Sequence, residues 1–243
     1  MKKSESNRIA KIIAHAGITS RREAENWIKK GRVSVNGKQI YSPAINLYEK
    51  DKIYIDNKLI KTKKVIRVFL FNKPRGLICT HSDPQNRTTI YDSFPKKIIN
   101  KEVGTLHTVG RLDINSEGLI IITNSPKLKY FFENPANKII RTYKVKVHGI
   151  TEQSNLDNLK KGINIYGKKY DSIKAKIIKK MKTNMWLKIN LTEGKNREIR
   201  NVLSFLNLEV IRLKRISYGP FSLTNIPKGN IIEVKKNISH FLK

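Results

Sequence analysis

The sequence predicts an α+β protein in two parts, a small α/β module over residues 1–62 and a mixed or antiparallel sheet with a few helices over residues 63–243. Three observations carry this. The first ~60 residues show helical periodicity and then a hairpin signal. Beyond them, strand signals lie beside turns instead of alternating regularly with helices, which argues against a doubly wound parallel sheet. No repeat of fixed period interrupts either part.

In RIAKIIAHAGI, Ile9, Ile12, Ile13 and Ala16 fall on one helical face, and Gly17 is a natural stop. TSRREAENWIKKG offers Ser20 and Glu23 as a capping box, a buried stripe of Ala24, Trp27 and Ile28, and Gly31 as terminator. Arg21 and Arg22 occupy that helix's first turn, where the dipole disfavours cations and a bound phosphate would reverse the preference. VSVNGKQI alternates around Asn36-Gly37, a strong hairpin signal, and KIYIDNKLI reads as a further short strand. A polar joint, residues 61–64, leads into the second part. There the strand signals are VIRVFLF, GLICT, GLIIIT, RTYKVKVHG and MWLKINLT. The helix signals are PKLKYFFEN, TEQSNLDNLKKG and NREIRNVLSFLN, and DPQNRTT is a polar loop.

Lys and Arg total 50 against 19 Asp and Glu, a formal net charge of +31. An AT-rich genome raises Lys, but it does not account for Arg111, Arg197 and Arg200, which sit in structured motifs. An excess this large favours a polyanionic partner, nucleic acid before a membrane surface. With 14 Lys plus Arg against 6 Asp plus Glu, residues 1–62 carry a net +8, which leaves +23 for residues 63–243. Both parts are therefore expected to meet the anion. Cys79 is the only cysteine, so no internal disulfide forms and a reducing compartment is expected. The N-terminal MKKSESNRIAKIIAHAGI has no signal-peptide core, and no apolar run approaches the ~20 residues of a membrane helix. A cytoplasmic protein follows. The five histidines are scattered, and none pairs with Cys79 or a carboxylate at metal-ligand spacing. Phosphate-binding glycine loops and dinucleotide fingerprints are missing as well, so the expectation is chemistry without metal or cofactor.

Three pieces could carry chemistry. In GRLDINSEGL, an extended chain puts Arg111 and Asp113 on one face and Leu112 on the other, with Gly110 allowing close approach. A turn over residues 115–118 and a buried LIIIT strand would leave Asp113 at the mouth of an apolar layer. A carboxylate there needs a cationic partner. Read alone, it equally caps a turn or pairs with Arg111. In RTYKVKV, alternation turns Tyr143, Val145 and Val147 inward, where Tyr143 by itself reads as a core aromatic. In EGKNREIRNVLSFL, Arg197 and Arg200 share a helical face above a core stripe of Ile199, Val202, Leu203 and Leu206, and by spacing alone they fit a solvated basic face equally well.

RIAKIIAHAGITSRREAENWIKKGRVSVNGK resembles the S4-type RNA-binding module over residues 7 to about 60. The resemblance implies that Arg8, Lys11, Arg21, Arg22, Lys29 and Lys30 face structured RNA. NKPRG (residues 72–76), VGRLDINSEGLIIITN (109–124), RTYKV (141–145) and LTEGKNREIRNVL (191–203) together resemble the pseudouridine synthase family, in order and spacing, across nearly the whole chain. More closely they resemble its branch with an S4-type module, which modifies ribosomal RNA. The stretch LKRISYGPFSLTNIPKGNIIEV is similar to large-subunit members of that branch.

What the resemblance implies runs residue by residue. Asp113 is the catalytic carboxylate, attacking the target nucleotide or removing a sugar proton, while uracil leaves C1′, rotates and rejoins through C5. Tyr143 packs on the base and helps remove the C5 proton. Arg200 pairs with Asp113, Arg111 fills the gap left by the flipped base, and Arg197 and Lys73 contact substrate. Asn201 stands where a second basic residue is common, which weakens one phosphate contact. No cofactor or metal is implied. The partner is a structured hairpin of ribosomal RNA, most consistently large-subunit, met by a monomer. The alternatives are a small-subunit RNA substrate, a non-catalytic RNA-binding assembly factor and a DNA-binding protein. The S4-type module argues against the last.

Overall fold

The computed structural model describes residues 7–48, 50–60, 65–96, 98, 103–235 and 241, with His15 described by its backbone alone, so the joint expected at residues 61–64 lies outside the described residues. The first helix is Ile9–His15, and Ile9, Ile13 and Ala16 are buried as the periodicity predicts. Ile12 packs only at the margin of that core, and Ala10 is buried in addition. The second helix, Arg21–Lys29, starts under the Ser20 hydroxyl, which accepts the Glu23 N–H at 3.2 Å. It buries Ala24 and Ile28. Asn36 and Gly37 turn the chain at φ 51° and 86° between Val33–Val35 and Lys38–Ile40. KIYIDNKLI is not one strand. Asp56 and Asn57, at φ 47° and 61°, fold it into a hairpin of Ile53–Ile55 and Lys58–Leu59, because these two side chains tolerate the left-handed region that a tight hairpin demands. The two hairpins form a four-stranded antiparallel sheet with Val33–Val35 and Ile53–Ile55 central.

The chain divides into two compact units: Met1–Arg67 with Pro95–His107 and Asn124–Pro126, and Val68–Phe94 with Thr108–Thr123 and Lys127–Lys243. A nine-stranded sheet dominates the second. Seven of its strands run in the order Lys174–Lys180, Asn184–Leu191, Arg141–His148, Glu209–Tyr218, Glu117–Thr123, Val68–Lys73, Ile231–Glu233. Neighbours on this path pair antiparallel, except Glu209–Tyr218 with Glu117–Thr123, which are parallel. The class is α+β, as the sequence predicts. The helices Pro126–Glu133, Gln153–Asp157 and Glu198–Phe205 fall within the expected stretches. Among the described residues no helix is long and apolar enough to cross a membrane.

GLICT is not a strand of the sheet. Pro74 and a left-handed Gly76, φ 92°, turn the chain away after Val68–Lys73, and Ile78 makes only a bridge to Thr89 that closes a loop. The strand Glu209–Tyr218, absent from the expected set, lies at the middle of the sheet. Its charged residues hide it, since Arg212, Lys214 and Arg215 interrupt any apolar alternation.

Gly118 belongs to the strand Glu117–Thr123 instead of to a turn. Its φ is 106°, and a Cβ placed there would lie 2.2 Å from the backbone oxygen of Arg215. The parallel pairing of the two strands therefore depends on a residue without a side chain. Gly118→Ala is expected to destabilise the protein by about 3 kcal/mol through backbone displacement, read as a lowered melting temperature.

Candidate active site

Gly110, at φ 66°, donates its N–H to Glu133 Oε1 at 2.6 Å and turns the chain into an extended run. Along it Arg111 is exposed, Leu112 buried and Asp113 half-buried, the alternation expected. The turn then closes earlier than expected, with Ser116 N–H donating to Asp113 O at 3.0 Å, and Glu117 already begins the strand. NKPRG clamps this turn from the neighbouring strand. Lys73 Nζ donates to Ser116 O at 2.9 Å, Pro74 O at 3.0 Å and Asp113 O at 3.2 Å, and Gly76 N–H donates to Ile114 O at 2.9 Å. Lys73, expected to contact substrate, is 0% exposed and faces the Asp113 turn. Its ammonium is enclosed by carbonyls and holds the Asp113 turn from beneath. Burial pushes its pKa down, while the nearby acidic groups of Cys79, Asp113 and Glu117 oppose that shift.

Arg200 lies on the helix Glu198–Phe205 and donates to Val210 O at 3.2 Å and Asn115 O at 3.4 Å. It thus reaches the backbone of the Asp113 turn, and Asp113 lies near enough to favour its charge. Burial nevertheless lowers its pKa, and Arg197 and Arg75 add repulsion. Its Nε is buried without a partner. Arg197 precedes the helix at φ 51°, a left-handed conformation unusual for a long side chain. Arg197 and Arg200 line one open depression of about 490 Å³ with Ser204, Asn207 and Glu209. Arg75, which the sequence reading did not single out, donates to Ile211 O at 2.7 Å. Three guanidiniums, Arg75, Arg197 and Arg200, therefore gather in one region with Asp113 near Arg200, an arrangement that suits an anionic substrate.

Tyr143 is buried on Arg141–His148, opposite Ile189 on one side and Arg215 on the other. Arg215 is the residue that sequence reasoning missed. It is 2% exposed, its Nε donates to Leu119 O at 2.7 Å, and its NH2 is buried with no partner. It also underlies Gly110, where an added Cβ would sit 3.9 Å from its NH1. Its guanidinium and that of Arg141 lie 5.0 Å and 4.6 Å from the ring of Tyr218, whose hydroxyl accepts from Arg141 at 2.7 Å. A basic residue among apolar neighbours reads as an outward position, so only the pairing with Tyr143 could expose its place.

The loop before Arg197 carries a buried acidic pair. Glu193 accepts the Asp171 N–H and pairs with Lys195 at 2.6 Å. Glu198 accepts the Lys195 N–H at 2.9 Å, while its Oε1 has no donor, the atom a proton would occupy. Burial first, and the Glu193 carboxylate second, raise the Glu198 carboxyl to about 8. Asn201 donates to Tyr170 OH at 3.0 Å, so it serves the same loop.

Arg8, Lys11, Arg21 and Arg22 lie in the N-terminal unit. Arg8 is exposed ahead of the first helix, Lys11 donates to Asn7 Oδ1 at 2.8 Å, and Arg21 sits 3.8 Å from Glu25 beside an exposed Arg22. Lys29 and Lys30 close the opposite end of that helix.

A half-buried carboxylate near Arg200, in a turn beside a sheet with one parallel pair, is an arrangement that suits an enzyme acting on a polyanion. The family model described as RNA pseudouridylate synthase matches residues 67–205, and the S4 domain model matches residues 7–53. The chain belongs to the RNA pseudouridylate synthase family, enzymes that isomerise uridine in RNA to pseudouridine. An uncharacterized RNA pseudouridine synthase of Rickettsia prowazekii is 39% identical over 237 residues, covering 95% of each chain. Ribosomal large subunit pseudouridine synthase B of Buchnera aphidicola is 36% identical, over 94% of this chain and 93% of that one. The protein of the same name from Haemophilus influenzae is 33% identical, over 99% of this chain and 68% of that one. A crystal structure described as a pseudouridylate synthase shares the fold at a TM-score of 0.67, with 24% identity over 97% of this chain and 98% of that one.

Two outcomes test this geometry. Lys73→Met leaves the turn carbonyls without their donor and is expected to cost about 3 kcal/mol and most of the turnover, read as melting temperature and kcat. The Glu198 carboxyl holds a proton in the folded state that the unfolded chain releases near 4.5. Its contribution is complete below about 4.5 and is lost as pH rises through about 8. Denaturant titrations across that range should show stability falling with pH, and Glu198→Gln should flatten the slope.

Proposed function

We propose that the protein isomerises a uridine of ribosomal RNA, of the large subunit, with Asp113 as the catalytic carboxylate. The observation that carries this is the setting of Asp113: its turn is clamped by Lys73 and Gly76 while the residue stays half-buried near Arg200, which also lies near Arg75 and Arg197. The large-subunit names of relatives at 33% and 36% identity support the choice of RNA. The working division is a binding domain over residues 1–62 and a catalytic domain over residues 63–243, acting as a monomer in the cytoplasm.

A stacked base cannot be isomerised, so the target must leave the stack at a cost of a few kcal/mol. Arg111, exposed two residues before Asp113, fills the gap and offsets part of that cost. The base comes to lie against Tyr143, and Asp113 acts at the nucleotide by attack or by removing a sugar proton. Arg200 pairs with Asp113 in a site emptied of water. Arg197 holds a phosphate nearby. The N1–C1′ bond breaks and a C5–C1′ bond forms, the C5 proton passes to solvent and N1 takes up a proton in its place, so nothing is consumed. Arg8, Lys11, Arg21 and Arg22 hold a hairpin of the RNA on the N-terminal unit, where a phosphate at the second helix offsets the unfavourable dipole of Arg21 and Arg22.

Tritium release from RNA labelled at uridine C5 tests the reading, with large- and small-subunit transcripts assayed apart. Wild-type protein should release tritium from the large-subunit RNA, and Asp113→Asn should release none while binding the same RNA. Turnover retained in Asp113→Asn sinks the mechanism. Release from small-subunit RNA alone moves the substrate, and tight binding with no release leaves an RNA-binding factor.

A further inference from the structure

The segment INIYGKKY forms a hairpin whose strands, Ile163–Ile165 and Lys168–Tyr170, pair only with each other among the described residues. Ile165 and Tyr170 face inward and are buried. Tyr166 stands at the tip, 99% exposed, with φ 47°. Gly167 follows at φ 80°, and a Cβ there would meet nothing within 4 Å. Stability offers no reason for a tyrosine at this place. The turn wants Asn or Asp ahead of its glycine, because a bulky side chain is strained in the left-handed region. A fully exposed ring also gains nothing from folding.

The surroundings are basic. Lys160, Lys161, Lys168 and Lys169 are all exposed beside the hairpin. Its base is fastened to the loop that carries Arg197: Lys195 Nζ donates to Lys169 O at 2.7 Å, Asn201 Nδ2 to Tyr170 OH at 3.0 Å, and the Asp171 N–H to Glu193 Oε1 at 2.6 Å. Two residues, Gly167 and Lys168, separate Lys169 from Tyr166, and Tyr166 and Gly167 are turn, so the tip projects less than the ~10 Å of three strand steps beyond that anchor. That reach is about two stacked nucleotides at ~3.4 Å each.

We infer that this hairpin is a second RNA contact of the catalytic unit, with the Tyr166 ring stacking on an unpaired base near, but not at, the target uridine. Aromatic rings set among lysines are the usual platform for unstacked bases, since every base offers a face to the ring and the lysines track the phosphates. A protein partner fits less well, because protein interfaces are depleted in lysine. The inference rests on RNA being the substrate.

The test uses the full chain and the labelled transcripts that wild type modifies. Tyr166→Ala and Tyr166→Asn should each raise KM about tenfold with kcat little changed, and Tyr166→Phe should stay within about twofold because the ring remains. Tyr166→Asn should melt no lower than wild type, since it relieves the turn, so a folding defect cannot explain its loss. The indole of Tyr166→Trp should be quenched by RNA with an unpaired loop and not by a fully paired duplex. Unchanged KM in both ring-deleted variants, with wild type turning over, overturns the Tyr166 contact alone. Wild type that neither binds nor modifies any transcript overturns the ribosomal-RNA reading and this contact with it.

Discussion

The buried ammonium of Lys73 is the interaction on which the site depends. Taking an ammonium out of water costs several kcal/mol unless its donors are satisfied. Here carbonyl oxygens of Pro74, Asp113 and Ser116 satisfy them. A carboxylate would be the commoner partner, and Asp113 stands close by. Had Lys73 taken that side chain, the Asp113 carboxylate would be consumed in an internal ion pair. By taking the backbone oxygen of the same residue, Lys73 fixes the position of Asp113 and leaves its carboxylate open. Arg200 repeats the device from the other side, donating to Asn115 O instead of closing on the acid.

The remaining charge is arranged at a cost to the free protein. Arg75 and Arg197 repel Arg200, whose Nε has no partner, and Arg215 buries an NH2 with none. Arg197 is held left-handed at the start of its helix. Of these, the repulsion around Arg200 is the one that the negative charge of a polyanion offsets. The acidic pair Glu193 and Glu198 works in the same direction, since a proton held by Glu198 removes one negative charge from the loop that presents Arg197. The net charge of +31 extends this logic to the whole chain, favouring encounter with RNA over the stability of the empty protein.

Much of the fold was legible in the order of residues. The two first helices, their caps and the Asn36-Gly37 turn follow from local rules of periodicity and backbone preference. So does the inward face of Tyr143. The errors also have local causes. KIYIDNKLI hid a turn because Asp56-Asn57 is a weaker signal than Asn-Gly, and GLICT looked like a strand because apolar content alone does not reveal where Gly76 sends the chain. The family motifs made Asp113, Tyr143, Arg111, Arg197 and Arg200 visible as candidates, but they gave no sign that Lys73, expected at the substrate, is completely buried beneath the turn.

The sequence by itself determined which segments turn, which faces are apolar, and that Asp113 stands beside Arg111 in a strongly cationic chain. These depend on neighbours a few residues apart, where spacing and side-chain type suffice. Tertiary structure alone decided that Lys73 lies under the turn of Asp113, forty positions further on, and that Arg215 underlies Gly110 and faces Tyr143. It also decided that Gly118 is bare because the backbone of Arg215 passes there. A cation buried by distant carbonyls and one exposed to solvent look the same in sequence, since the difference lies in which remote chain supplies the acceptors.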